Sequence, residues 1–259
     1  MLWFSFCFVT IIHLSPLKMN ADSRFGLQKL TLLDYPGKVA CTIFLHGCNF
    51  RCPFCHNASL VVVPQEQSAM ITLDELKDFL SKRGKILDGA CITGGEPVMR
   101  PDLAELLELL RSYNLLIKLD TNGSFPERLR EIVERRLVDA VAMDIKNTYA
   151  RYDETTGVTG MAERVAESAA YLKTAPLDYY ELRTTVVRQF HTVDDLVELA
   201  REHAGVEHYF LQKFKDSGDL LGAGLSAMPD DEMARALEAV REFIPNAQLR
   251  GVDTPEPES

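Results

Sequence analysis

The feature that most restricts the fold of this chain is a regular alternation, from residue 39 onward, of short apolar runs with amphipathic helical patterns. Residues 39–45 are rich in apolar and β-branched side chains and stop at Gly47, the pattern of a strand buried on both faces. Thr72-Leu-Asp-Glu75 is a capping box, followed by Leu73, Leu76, Phe79 and Leu80 at helical spacing. A strand over 90–93 ends at Gly94-Gly95. Pro101 then opens a helix with Leu103, Leu106, Leu107 and Leu110 on one face. Strands over 115–120, 138–145, 180–187 and 206–212 interleave with four more helices. The first is capped by Ser124 and Glu127 and carries Leu129, Ile132 and Val133. The second covers 162–173, and the third, over 193–203, is begun by Thr192. The last covers 230–243 with Met233, Leu237, Val240 and Ile244 inward.

Six β-then-α units predict parallel strands joined by right-handed crossovers, hence an α/β fold: a partial (βα)6 TIM-like barrel in a single domain over 19–252. Functional groups in such folds gather at the C-terminal ends of the strands. Those ends carry Cys48, then Gly94-Gly95-Glu96, Asp120, Asp144 with Lys146, and Gln212-Lys213, while Arg183 lies within the fifth strand.

Composition narrows the function. Apolar residues make up 46% and charged residues 25%, as in an ordinary globular protein, and 15 Gly with 12 Pro are too few for a collagenous or disordered chain. The 28 basic against 38 acidic residues give a net charge of −10, which argues against nucleic acid as a partner. Leu2 to Ile12 imitates a signal-peptide core, but no basic residue precedes it and no small-x-small site follows. The run is also shorter than the ~20 residues that span a bilayer. Residues 1–18 therefore read as an upstream extension of a protein that begins at Met19, with a weak membrane-associating or export segment as the other reading; no stable membrane association is expected. The Pro-rich, acidic tail over 253–259 is expected to be disordered.

Three of the six cysteines, Cys48, Cys52 and Cys55, fall within eight residues, whereas Cys7, Cys41 and Cys91 stand apart. Clustering of this kind suits one metal centre in a reducing compartment, the cytoplasm, better than a disulfide framework. In Cys48-Asn-Phe-Arg-Cys52-Pro-Phe-Cys55 the spacings let three thiolates surround one face of a [4Fe–4S] cubane, which usually takes four. One iron would remain open to another ligand. Two alternatives stand beside this: a structural zinc with His46 or His56, and an electron-transfer cluster with Cys91 as fourth ligand, although Cys91 and Cys41 lie in apolar strands as small core residues do.

The CxxxCxxC loop with Phe54 before its last cysteine, and Gly94-Gly95-Glu96-Pro97 after the next strand, resemble the radical S-adenosylmethionine (SAM) superfamily. Asp34-Tyr-Pro-Gly37, Cys55-His-Asn57, Asp120-Thr-Asn-Gly123 and Asp144-Ile-Lys146 resemble, more narrowly, the glycyl-radical-enzyme activases, above all those serving anaerobic ribonucleoside-triphosphate reductase. The resemblance implies reductive cleavage of SAM to a 5′-deoxyadenosyl radical that takes a hydrogen from a glycine of a partner enzyme. It implies cluster ligation by Cys48, Cys52 and Cys55, and SAM contacts from Phe54, Gly94, Gly95, Glu96, Asp144, Lys146 and Arg183. A monovalent cation held by Asp120, Thr121, the Ala142 carbonyl and Asp144 follows from it too, with Asp34 facing the partner's glycyl loop. An electron donor such as flavodoxin or ferredoxin is implied as well. The pyruvate formate-lyase activases carry a SAM-contacting histidine after the last strand; here the stretch is Phe210-Leu-Gln-Lys-Phe-Lys215, where Gln212 or Lys213 would substitute, which favours the reductase activases. His191 reads as a loop residue. No cysteine follows Cys91, so a second cluster domain is not expected. The competing readings are an activase of pyruvate formate-lyase or another glycyl radical enzyme, a radical SAM enzyme acting on a small molecule, and a non-catalytic iron–sulfur or zinc protein.

Overall fold

The computed structural model describes Met19, residues 23–61 and residues 70–252. The readings of residues 1–18 and of the tail from 253 lie outside the described residues. Among these there are nine strands: β1 (Arg24–Thr31), β2 (Ala40–Leu45), β3 (Ile71–Thr72), β4 (Gly89–Gly94), β5 (Leu116–Thr121), β6 (Ala140–Asp144), β7 (Tyr179–Val186), β8 (Tyr209–Lys213) and β9 (Gln248–Arg250). The helices are α1 (Ala58–Val61), α2 (Leu73–Arg83), α3 (Leu103–Ser112), α4 (Pro126–Glu134), α5 (Tyr152–Thr156), α6 (Ala162–Leu172), α7 (Val193–Glu202) and α8 (Asp230–Arg241).

All strands join one sheet in the order β3-β1-β2-β4-β5-β6-β7-β8-β9. From β2 through β9 every neighbouring pair is parallel, and β1 and β3 add an antiparallel edge. The six βα units expected from the sequence are present, and β3 and β9 remain separate edges, so the barrel is open.

Strand periodicity divides the sheet into two faces. Ile43, Ile92, Leu119, Val141, Met143, Leu182 and Leu211 face the helices and form the main core with Leu76, Leu80, Leu103, Leu107 and Leu199. On the opposite face a small cluster of Tyr35, Ala40 and Ala140, backed by Leu116 and Tyr179, fills the end where the strands begin. Above it that face turns polar, and this sets where chemistry can occur.

The capping boxes form as the residue types require. Thr72 Oγ1 accepts from the Glu75 N–H at 3.1 Å while the Glu75 carboxylate accepts from the Thr72 N–H at 2.8 Å, and Thr192 with Asp195 repeats the pattern at α7. The expected Ser124/Glu127 cap does not form. Helix α4 begins at Pro126 with no side-chain cap, because Ser124 is buried and spent elsewhere, on Asn122 and Asn49. Strands β1, β3 and β9 lacked a sequence signal: β3 and β9 are short, half-exposed edges, and β1, one place in from the edge, has only two buried residues and no continuous apolar run.

Candidate active site

The three cysteines lie in the loop that leaves β2. Gly47 N–H donates to Leu60 O at 2.8 Å and Cys48 N–H to Val61 O at 3.2 Å, so α1 backs the loop. Arg51 fastens its middle: its N–H donates to Thr156 O at 2.7 Å, and its guanidinium donates to the Cys48 and Phe50 carbonyls, each at 2.7 Å. A turn from Cys55 N–H to Cys52 O at 3.1 Å completes it. Cys48, Cys52 and Cys55 thereby line one pocket with Phe54, Gly94, Gly95, Asp144, Lys146, Thr185 and Gln212.

This donor set fits an iron–sulfur cluster. Burial pushes the Cys48 thiol up to about 11 and the Cys52 thiol up to about 12, so both stay protonated at neutral pH until a metal displaces the protons. The Phe50 N–H already points at Cys48 Sγ, at 3.4 Å. Among the described residues no three His, Cys, Asp or Glu side chains converge as they must around a single ion. The thiolates of a cubane each bind a different iron, so they need not converge on one point. His56 lines the pocket stacked on Phe214 at 5.6 Å, and His46 does not reach it. Cys91 is buried inside the barrel, 3.9 Å from Lys118 Nζ, away from the three thiols.

The Gly94-Gly95-Glu96 segment is pinned against the cysteine loop. Gly95 N–H donates to Leu45 O and Glu96 N–H to Gly47 O, both at 2.8 Å. Gly94 has φ +124°, and a Cβ there would lie 2.2 Å from Leu45 O; one on Gly95 would lie 2.1 Å from Gly47 O. Both glycines are thus needed for the backbone to approach so closely. Gly94→Ala is expected to cost about 2–4 kcal/mol of stability, from left-handed strain plus backbone overlap, and calorimetric unfolding checks it.

Glu96 is fully buried rather than solvated. Its Oε1 accepts from Val98 N–H at 2.9 Å and Thr121 Oγ1 at 2.8 Å, and its Oε2 accepts from Asn122 N–H at 2.6 Å. Burial pushes its carboxyl up to about 7, against these donors. Both oxygens are therefore used in joining the β4 and β5 loops, and Glu96 supports the pocket from beneath. Asn122 Nδ2 donates to Asn49 Oδ1 at 3.0 Å and Asn49 Nδ2 to Ser124 Oγ at 2.9 Å, which ties the same loops to the cysteines. In the sequence Asn49 reads only as a residue that favours a tight irregular loop, because its partners come from the distant β5 loop.

Asp120 and Asp144 do approach each other, but Arg183 lies between them. Its Nε donates to Asp144 Oδ1 at 2.9 Å and its Nη1 to Asp120 Oδ2 at 3.3 Å. Asp144 Oδ2 accepts from Lys146 Nζ at 3.2 Å, and Asp120 Oδ1 from Lys118 Nζ. Burial opposes ionisation of both carboxyls, yet the surrounding cations hold each below the usual carboxylate range. The monovalent cation expected at Asp120, Thr121, Ala142 and Asp144 does not fit this geometry. All four carboxylate oxygens face cationic side chains, and Thr121 Oγ1 is turned to Glu96 and Gly123. Ala142 lies mid-strand, opposite Asp120 and Glu181.

Phe54 is buried against Phe190, ring centroids 5.5 Å apart, while also lining the pocket. His191, expected as a loop residue, is in a loop but buried. Its Nδ1 accepts from Val187 N–H at 3.1 Å, leaving Nε2–H to donate to Lys146 O at 2.9 Å. It fixes the backbone of Lys146. Of the two candidates after β8, Gln212 lines the pocket and Lys213 pairs with Asp230. Asp34 is not in this pocket. It accepts a hydrogen bond from Thr42 and borders a second recess with Leu32, Leu33, Arg183, Gln212 and Arg250. Sequence reading missed Lys118, Glu181 and Arg250 on the barrel's inner face; Glu181 takes both guanidinium arms of Arg250, at 2.9 and 2.8 Å. The usable signal was a charge pair two residues apart within an otherwise apolar strand, Lys118/Asp120 and Glu181/Arg183, which places both charges on one face.

An open parallel barrel with three thiols lining a pocket at its C-terminal rim defines the class of fold and site. The model of the Radical SAM superfamily matches residues 42–203, and the chain belongs to that superfamily. A relative in Methanocaldococcus jannaschii that bears the name of a glycyl-radical enzyme activating enzyme is 29% identical over 239 residues, covering 88% of this chain and 95% of its own length. The pyruvate formate-lyase-activating enzyme of Listeria monocytogenes is 29% identical over 132 residues, 47% of this chain and 52% of that one. Among solved structures, Streptococcus suis SuiB bound to precursor peptide SuiA superposes with a TM-score of 0.64 at 15% identity, covering 81% of this chain and 48% of SuiB. At that identity the likeness is one of fold. Among the described residues no helix is long and apolar enough to cross a membrane.

Proposed function

We propose that this protein activates a glycyl radical enzyme, an anaerobic ribonucleoside-triphosphate reductase, in the cytoplasm, with an electron donor of the flavodoxin or ferredoxin type. The observation that carries the reading is the convergence of Cys48, Cys52 and Cys55 with Gly94, Gly95, Asp144 and Lys146 on one pocket at the barrel mouth. A cluster held by these three thiols, with SAM in the pocket, would supply one-electron reductive cleavage of the sulfonium bond.

The chain's own groups prepare the site. Cys48, Cys52 and Cys55 hold the cluster, and Lys146, next to Asp144 and the Cys52 and Cys55 thiols, offsets the negative charge that a thiolate-bound cluster brings. Gly94 and Gly95, packed by their missing side chains onto the β2 end and the cysteine loop, line the pocket where they would offer backbone to the SAM amino group, while Phe54 and Gln212 form walls. Asp34, with exposed Leu32 and Leu33, borders the second recess and would meet the partner's glycine-bearing loop. Gln212 lines both recesses, so the two sites adjoin.

The test is anaerobic reconstitution with iron and sulfide, then electron spin resonance of the reduced protein with and without SAM. The expected results are a SAM-induced change in the cluster spectrum, release of methionine and 5′-deoxyadenosine, and a glycyl radical signal on added reductase. SAM cleavage without that signal, but with one on pyruvate formate-lyase, would move the partner assignment. No cleavage at all would defeat the enzyme reading.

A further inference from the structure

We infer that Arg183 is a built-in counter-ion that takes the place of a free metal cation between Asp120 and Asp144, so that the SAM pocket of this protein assembles without sodium or potassium. The inference rests on the proposed SAM-binding role of the pocket and assigns Arg183 as a positioning residue within it.

The argument begins with register. Asp120 on β5 lies opposite Ala142 on β6, and Asp144, two residues on, lies opposite Arg183 on β7. The pleat therefore directs all three side chains to the inner face near the rim. Two carboxylates at neighbouring strand ends repel each other and need positive charge between them. A bare cation would meet that need only with several oxygens converging on one point. Here the guanidinium does so with fixed directionality, through Nε to Asp144 Oδ1 at 2.9 Å and Nη1 to Asp120 Oδ2 at 3.3 Å. The outer oxygens are closed by Lys118 and Lys146. Arg183 is itself held from behind by Glu181, at 3.9 Å, which Arg250 anchors in turn. The ladder Lys118–Asp120–Arg183–Asp144–Lys146 thus runs across three strands with each carboxylate oxygen matched, and its last member lines the pocket. Its side chains are largely buried, with Arg183 13% and Lys118 2% exposed, so the guanidinium is screened far less than a surface pair.

The experiment compares potassium, sodium and the non-coordinating tetramethylammonium at equal ionic strength. For the reconstituted wild-type protein, SAM affinity is expected to vary less than twofold among the three. Arg183→Met is expected to bind SAM at least tenfold more weakly in tetramethylammonium and to recover at least fivefold in potassium or sodium. Arg183→Met/Asp120→Asn, with only one carboxylate left, is expected to lose that recovery. A second readout needs neither cluster nor SAM: the thermal midpoint of the metal-free wild type should be the same in all three salts, and that of Arg183→Met should rise in sodium or potassium alone. If Arg183→Met does not fold, the wild-type comparisons still decide. Wild-type SAM affinity at least tenfold higher in potassium or sodium than in tetramethylammonium, or a salt-specific midpoint in the wild type, overturns the inference, as does Arg183→Met that folds yet responds to no cation. Absence of SAM binding in every salt would defeat the activase reading instead, and the midpoint arm would still judge Arg183.

Discussion

Cys52→Ala is expected to leave a folded protein that retains no stable cluster and cleaves SAM at least about a thousandfold more slowly, because only two thiolates then remain to hold the cubane. The thiol is buried between Phe50 and Phe54 in the chain, 6% exposed, and burial keeps it neutral, so removing it from the metal-free protein costs packing and no charge. The fold should therefore survive where the chemistry does not. Iron and sulfide content, the visible charge-transfer band and 5′-deoxyadenosine release check the outcome, with circular dichroism as the control for folding. Cys91→Ala is the internal comparison. Cys91 is equally a buried cysteine but lies beside Lys118 in the barrel, and its removal should leave the iron content unchanged. Loss of iron in both variants would contradict the assignment of three ligands to the loop.

Asp144→Asn is expected to destabilise the metal-free protein by about 2–4 kcal/mol, lowering Tm by roughly 5–12 °C, and to weaken SAM binding at least tenfold. The substitution keeps the shape but leaves the Arg183 guanidinium and the Lys146 ammonium facing each other across a neutral amide. Breaking one partner of a buried ion pair exposes the full desolvation cost of the others. Asp144 is 29% exposed, which holds the loss below that of a sealed pair. The same geometry sets a pH dependence. Asp120 and Asp144 titrate below the usual carboxylate range in the folded protein, so the unfolded chain binds their protons first as pH falls. Their contribution is complete above pH ~4, the unfolded carboxylate value, and is lost as pH drops below it through the lowered folded values. Acid unfolding of Asp144→Asn should show a shallower slope below pH ~4 than the wild type, measured by denaturant titration at a series of pH values.

How much of this was legible in the sequence varies with the physical origin of each feature. Helices α2 and α7 were legible down to their first residue, because a Thr with an acidic residue three positions on satisfies its own backbone donors locally. Helix α4 was not, since the serine in the capping position bonds Asn122 and the half-buried Asn49, the latter 75 residues away, where no local pattern could announce it. The cysteine loop was legible because ligand spacing is a short-range property. Glu96 was noticed but its role was not, because whether a loop glutamate is solvated or fully enclosed depends on what the neighbouring strand ends bring to it.

The sequence by itself determined the parallel α/β architecture, the grouping of three thiols in one loop and the strand ends that carry polar groups, since these follow from periodicity and spacing along the chain. Only the tertiary structure decided which of those groups face one another. It showed Arg183 between the two aspartates where a free ion was expected, Lys213 turned away while Gln212 lines the pocket, and His191 holding the Lys146 carbonyl. The reason is that charge balance inside a barrel is settled between strands dozens of residues apart, at distances of a few ångströms that no spacing in the chain encodes.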